Sequence, residues 1–193
     1  VHSGFNQAWG EISSGVLDAV NAGLASNPGY RVVATGHSLG GAVATLAAAV
    51  LRNSGISVDL YTYGAPRVGN AALSDHITGS SGAIYRVTHK DDPVPKLPPI
   101  EVGYAHVSPE YWLSGAESTG DDYPVSDVQV CEGNENLDCN GSTGGLNVAA
   151  HSQYFGPISD CTRAGRLSDE EFAELEAKVN AWAEADRAYV NGQ

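Results

Sequence analysis

Apolar positions along the chain fall into alternating helical and strand-like runs. Between Phe5 and Leu24 they recur three and four apart, at Phe5, Ala8, Trp9, Ile12, Val16, Ala19, Val20 and Leu24. That is the spacing of one helix face, and Asn27-Pro28-Gly29 ends it. Residues 30–35 then read as a buried strand, and residues 39–52 as a helix dense in small side chains, stopped by Asn53-Ser54-Gly55. A second strand follows over 58–63, closed by Gly64-Ala65-Pro66. A short helix over 70–77, a third strand over 83–89, a Pro-rich turn through Pro99 and a shorter fourth strand over 125–131 complete the series. Strands alternating with helices predict an α/β fold with a mostly parallel central sheet covered by helices.

The chain's end has a different character. Ser168 and Glu171 are spaced as a capping box, and Leu167 and Phe172 as a hydrophobic staple. Phe172, Leu175, Val179, Trp182 and Tyr189 mark one face of the helix that follows, and the opposite face is mostly acidic. The expected division is therefore a catalytic domain over 1–165 and a C-terminal amphipathic helix over 166–193, docked on it.

Composition narrows the functions open to this fold. At 193 residues and 42% hydrophobic content, the chain suits one globular domain with a sizeable core. Its 23 Asp+Glu against 10 Lys+Arg give a net charge of −13, a surface that repels phosphate backbones and argues against nucleic-acid partners. No apolar run is long enough for a transmembrane segment; the richest, residues 42–51, is short and half alanine. The chain begins at Val1 with no basic leader and contains no Met, which suggests a mature chain or a fragment. Cys131 and Cys139 flank a turn-rich loop that suits a local disulfide, leaving Cys161 without a partner. Asn140-Gly141-Ser142 is a glycosylation sequon, with Asn140 the candidate acceptor. Together these features predict an oxidising, extracellular setting.

Gly36-His37-Ser38-Leu39-Gly40 matches G-x-S-x-G and lies between a predicted strand and a predicted helix. The pattern requires a sharp strained turn that lifts the serine hydroxyl above the sheet edge, with glycines relieving the close strand–helix approach. The helix start would aim backbone N–H groups at a developing oxyanion. A serine needs a base, and on this fold the chain order is Ser, acid, His. His37 is expected to point to the other face, and His2 and His76 are upstream or sequestered. His89 precedes the candidate acids Asp91 and Asp92, so His106 and His151 remain. His151, after the fourth strand and a loop, has the better position. Asp91 and Asp92 both sit just past the third strand, and position does not choose between them.

The chain resembles the fungal class 3 lipase family, which includes filamentous-fungus triacylglycerol lipases and related feruloyl esterases. The resemblance rests on Val1-His2-Ser3-Gly4-Phe5, on Thr35 through Ala42, and on Tyr63-Gly64-Ala65-Pro66-Arg67-Val68-Gly69-Asn70. It continues through Tyr85-Arg86-Val87-Thr88-His89, Asp92 to Pro99, Ser108-Pro109-Glu110-Tyr111-Trp112, and His151 with Tyr154-Phe155-Gly156. It implies an α/β-hydrolase fold whose catalytic residues are Ser38 as nucleophile, Asp92 as acid and His151 as base, with the Leu39 backbone N–H in the oxyanion hole. It implies no cofactor and no metal. Family members begin before the segment equivalent to Val1, so the resemblance also implies that the N-terminal part of the fold is absent here. That part would hold the first strands, the lid and a second oxyanion donor. A cysteine in the position of Cys161 pairs in relatives with one near the N-terminus, which suggests a separate N-terminal chain linked through Cys161.

The leading expectation is a secreted serine carboxylic-ester hydrolase, a triacylglycerol lipase acting on lipid esters at an oil–water interface. Feruloyl esterase or phospholipase A1 activity on the same scaffold is the near alternative. A catalytically silent lipid-binding module is the distant one.

Overall fold

The computed structural model describes residues 1–115, 123–144, 147–158 and 169–192. Helix α1 spans Ser3–Ser26, with the His2 side chain accepting from the Phe5 N–H at its start. Strand β1 (Val32–His37) leads into α2 (Leu39–Asn53), and β2 (Val58–Tyr63) into α3 (Ala71–Thr78), which Asn70 caps. Then come β3 (Ile84–His89), β4 (Glu110–Leu113), β5 (Val128–Cys131), the short helix α4 (Val148–His151) and α5 (Asp169–Asn191). The strands form one sheet in the order β1-β2-β3-β4-β5; the first four are parallel and β5 runs antiparallel to β4.

Alanine-rich α2 lies close on the sheet because its contact face carries small side chains. Ala44, Ala48, Ala49 and Leu51 pack with Val58, Leu60, Ile77, Ile84 and Val107 into the main core. Trp9 of α1 joins Ala42, Leu46, Ala47 and Val68 in a second cluster. The α1 stripe is narrower than expected: Ile12 is exposed, and Trp9 is the helix's one buried residue. Strand β1 is the edge of the sheet, so Tyr30 and Val33, expected to be buried, are exposed.

Three other expectations change. Residues 125–127 form a 3-10 turn, so the strand begins only at Val128. Strand β4 was not anticipated; its first residue, Glu110, is a carboxylate turned into the core, where it pairs with Arg86 at 2.9 Å and accepts from Thr88 Oγ1. Among the described side chains of α5, Ala183 and Asp186 are buried, whereas Trp182 and Tyr189 are exposed. The buried Asp186 of that helix pairs with Arg67 at 3.0 Å. The expected box and staple at Leu167, Ser168, Glu171 and Phe172, and the side chains of Leu175 and Val179, lie outside the described residues.

Candidate active site

Ser38 sits between β1 and α2 with φ 54° and ψ −128°, a left-handed conformation costly for a residue with a Cβ. Its N–H donates to the Tyr63 carbonyl at 2.9 Å, which ties the turn to the end of β2. The glycine requirement is real but differently placed from the motif. A Cβ on Gly36 would lie 2.3 Å from the Gly40 carbonyl oxygen, and one on Gly41 would lie 2.8 Å from the Ala65 Cβ. A Cβ on Gly40 would meet nothing. Leu39 opens α2, so its N–H is one of those that a helix start leaves without an intrahelical partner.

Asp92 is fully buried and faces His151. His151 Nδ1 lies 2.9 Å from Asp92 Oδ2 and 3.1 Å from Oδ1. A carboxylate only accepts, so the imidazole proton sits on Nδ1 and leaves Nε2 as an acceptor. Two more donors reach the carboxylate: the Tyr154 hydroxyl at 2.5 Å to Oδ2 and the Val94 N–H at 2.9 Å to Oδ1. Burial and the neighbouring Asp92 charge hold the Tyr154 phenol well above its ordinary range. Gly64, at φ 57°, leaves room for this cluster: a Cβ there would come within 2.8 Å of Asp92 Oδ2 and of Tyr154 Oη, and 3.0 Å of His151 Nδ1. The loop carrying the acid is held from behind, where Asn140 Nδ2 donates to the carbonyls of Lys90 and Asp92, each at 3.0 Å.

Of the other candidates, Asp91 is partly exposed and its carbonyl accepts from the Asn147 N–H. His106 is buried, donates to the Pro95 carbonyl at 2.7 Å, and is held well below the ordinary histidine range by burial. His76 is exposed rather than sequestered and pairs with Asn53. His37 does not point away from the site. Its ring centroid is 4.5 Å from that of His151, and its Nε2 donates to the His151 carbonyl at 2.7 Å. In a regular strand neighbouring side chains point to opposite faces, and the left-handed turn at Ser38 breaks that alternation.

The sequence matches the family model "Lipase (class 3)" over residues 1–102, more than half of the chain and including Ser38 and Asp92. The chain belongs to the class 3 lipase family. It is 49% identical over 195 residues to a secreted mono- and diacylglycerol lipase 1 of Fusarium solani, covering 98% of this chain and 57% of that protein. It is 44% identical to secreted mono- and diacylglycerol lipase A of Penicillium cyclopium, over 79% of this chain and 50% of that one. The crystal structure of mono- and diacylglycerol lipase from Aspergillus oryzae superposes with a TM-score of 0.76 at 38% identity, covering 82% of this chain and 60% of that chain. The chain thus spans about half the length of the curated relatives it matches.

In this family member Cys131 and Cys139 form the expected disulfide, with an S–S distance of 2.02 Å. The glycosylation candidate is corrected. Asn140 is 2% exposed, and its amide is the one that holds the Lys90 and Asp92 carbonyls. A glycan on Nδ2 has no room there. Cys161 lies outside the described residues, and these matches give no support to a separate N-terminal chain linked through it. Among the described residues no helix is long and apolar enough to cross a membrane, and no cluster of His, Cys, Asp and Glu is arranged to hold a metal ion.

Three residues of the site escaped the sequence reading as contributors. Tyr154 and Gly64 stood inside family-like stretches without a role, and Asn140 stood inside a sequon. The left-handed φ at Gly64, next to a strand end, was the one signal that glycine content could have offered.

Proposed function

We propose that this class 3 lipase is a secreted serine carboxylic-ester hydrolase of acylglycerols, with Ser38 as nucleophile, His151 as base and Asp92 as acid. The observation that carries the reading is the buried Asp92 bonded at 2.9 Å to His151, whose ring packs on the neighbour of the strained Ser38. Ser38 Oγ attacks the ester carbonyl carbon while its proton passes to His151 Nε2. The tetrahedral oxyanion accepts from the Leu39 N–H at the start of α2. Collapse breaks the bond to the alcohol oxygen, which takes the proton from His151. A water that gives its proton to His151 then attacks the acyl-enzyme. The bond from acyl carbon to Ser38 Oγ breaks, the proton returns to the serine, and the fatty acid leaves. Asp92, hydrogen-bonded to Nδ1, fixes the tautomer and stabilises the transient imidazolium.

The relatives' names favour mono- and diacylglycerols beside the triacylglycerol of the sequence reading. Those names and the disulfide support secretion. Residues 1–165 are read as the catalytic unit and 166–193 as a helix added to it. The test is fatty-acid release from emulsified mono-, di- and triacylglycerols of one acyl chain, beside a feruloyl ester and a phospholipid. Release from acylglycerols that disappears in Ser38→Ala is the expected result. Release that persists in Ser38→Ala overturns the nucleophile. Preference for the feruloyl ester or the phospholipid overturns the substrate class. Lipid binding without hydrolysis overturns the enzyme reading in favour of a silent module.

A further inference from the structure

Two histidines that the catalytic scheme does not use grip the same turn. His37, at the end of β1, donates from Nε2 to the carbonyl of His151 at 2.7 Å. His89, at the end of β3, donates from Nδ1 to the carbonyl of Ala150 at 3.0 Å. A carbonyl only accepts, so each ring must carry its proton on the nitrogen facing the turn. The other nitrogen of His89 then accepts from the Tyr123 hydroxyl at 2.8 Å. Burial lowers the pKa of both rings, which favours the neutral tautomers these bonds describe.

The gripped carbonyls belong to the last residues of α4, a helix of a single turn, where acceptors lack full intrahelical partners. Besides His89, the Ala150 carbonyl accepts from the N–H groups of the turn just after it, those of Ser152 and, at 3.3 Å, Gln153. So short a helix has little stability of its own, and its orientation is set from outside. Here the outside is the sheet. His37 directly precedes Ser38, and His89 lies three residues before Asp92. The same two strand ends that present nucleophile and acid therefore also hold the backbone of the base.

We infer that His37 and His89 are positioning residues that fix the backbone of His151 relative to Ser38 and Asp92. The inference rests on the proposed catalytic roles. The two donors sit at different reach: a glutamine Nε2 reproduces the reach of His37 Nε2, and an asparagine Nδ2 that of His89 Nδ1.

The test compares H37Q with H37N, and H89N with H89Q, in the full chain. One readout is the rate of Ser38 phosphonylation by diethyl p-nitrophenyl phosphate. The other is solvent exchange of the His151 Nδ1–H followed by NMR. Thermal midpoints serve as the folding control. H37Q and H89N should stay within about threefold of wild type, while H37N and H89Q lose about tenfold or more in labelling and exchange the Nδ1–H faster, with matched midpoints inside each pair. Equal behaviour within each pair, or losses that simply follow the midpoints, overturns the inference. If wild type and Ser38→Ala label alike, the catalytic reading fails instead, and the Nδ1–H exchange still decides whether the two histidines hold His151.

Discussion

Arg67 and Asp186 form a buried ion pair, Nη1 to Oδ2 at 3.0 Å, between the loop after β2 and the C-terminal helix α5. Asp186 also accepts from the Glu101 N–H at 3.1 Å, and Arg67 donates to the carbonyls of Lys96 and Pro98. The helix is thus fastened to the segment that follows Asp92. Burial lowers the Arg67 guanidinium to about 10, even with the carboxylate beside it. Removing one partner leaves the other charge buried and alone. Asp186→Asn should cost about 3–5 kcal/mol, whereas the double change Arg67→Met/Asp186→Leu should cost clearly less. Denaturant unfolding of both variants measures the difference. Equal losses would mean that the pair contributes through shape alone.

The same pair explains where sequence reading stopped. β2 was legible to the residue, because a short run rich in strand-forming Val, Leu, Tyr and Thr ends in Gly-Ala-Pro. The turn at Ser38 was legible because Gly36 and Gly41 serve close packing that a Cβ would block. Glu110 and Asp186 were not legible. Each is an acid that enters the core to meet an arginine distant in sequence, so local periodicity marks it as surface. Asp92 and His151 were placed by chain order and family resemblance, and the residues that hold them were not. Tyr154, Asn140 and His37 act through hydrogen bonds to groups far along the chain, for which spacing offers no signal.

Tyr154→Phe isolates one such bond. The ring packs edge-on against His37, His89 and Tyr63, and phenylalanine keeps that shape. Only the oxygen that donates to Asp92 Oδ2 disappears. A hydrogen bond to a charged acceptor is worth about 1.5–3 kcal/mol, so ester turnover should fall by roughly tenfold or more with KM little changed. Unchanged turnover would show that the His151 and Val94 donors suffice for Asp92.

Asn140 carries a second structural bond set. Its buried amide holds two carbonyls of the Asp92 loop, and its own N–H donates to Glu110 Oε1 at 3.1 Å. Asn140→Ala should destabilise by about 1–3 kcal/mol by leaving buried carbonyls unpaired. Peptide mass mapping of the folded, secreted protein should find Asn140 unmodified. A glycan at that position would require a different arrangement of the loop.

Lys96 supplies a pH signature. It is buried, donates from Nζ to the Thr143 carbonyl at 3.0 Å, and is lowered by burial from 10.5 to about 8. The unfolded chain therefore holds this proton more tightly than the folded one. Between about pH 8 and 10.5 the unfolded state binds more protons, so this residue's contribution to stability rises with pH there and is flat below about 8. The stability of wild type relative to Lys96→Met should climb across that window in urea titrations. A difference independent of pH would place the Lys96 pKa near its ordinary value.

Ser38 brings conformation and chemistry into conflict. Its φ of 54° and ψ of −128° cost a residue with a Cβ about 1–3 kcal/mol, and glycine tolerates them. Ser38→Gly and Ser38→Ala both remove the hydroxyl, and only the glycine variant relieves the turn. Glycine also loses about 0.5–1 kcal/mol through the greater freedom of its unfolded chain. The balance predicts that Ser38→Gly is more stable than Ser38→Ala by about 1 kcal/mol, with neither variant hydrolysing esters. Ordinary substitutions of alanine by glycine go the other way, so the sign of the difference decides. A glycine variant less stable than the alanine variant would mean that the surrounding packing, including the 2.9 Å bond from the Ser38 N–H to Tyr63, sets this turn without strain.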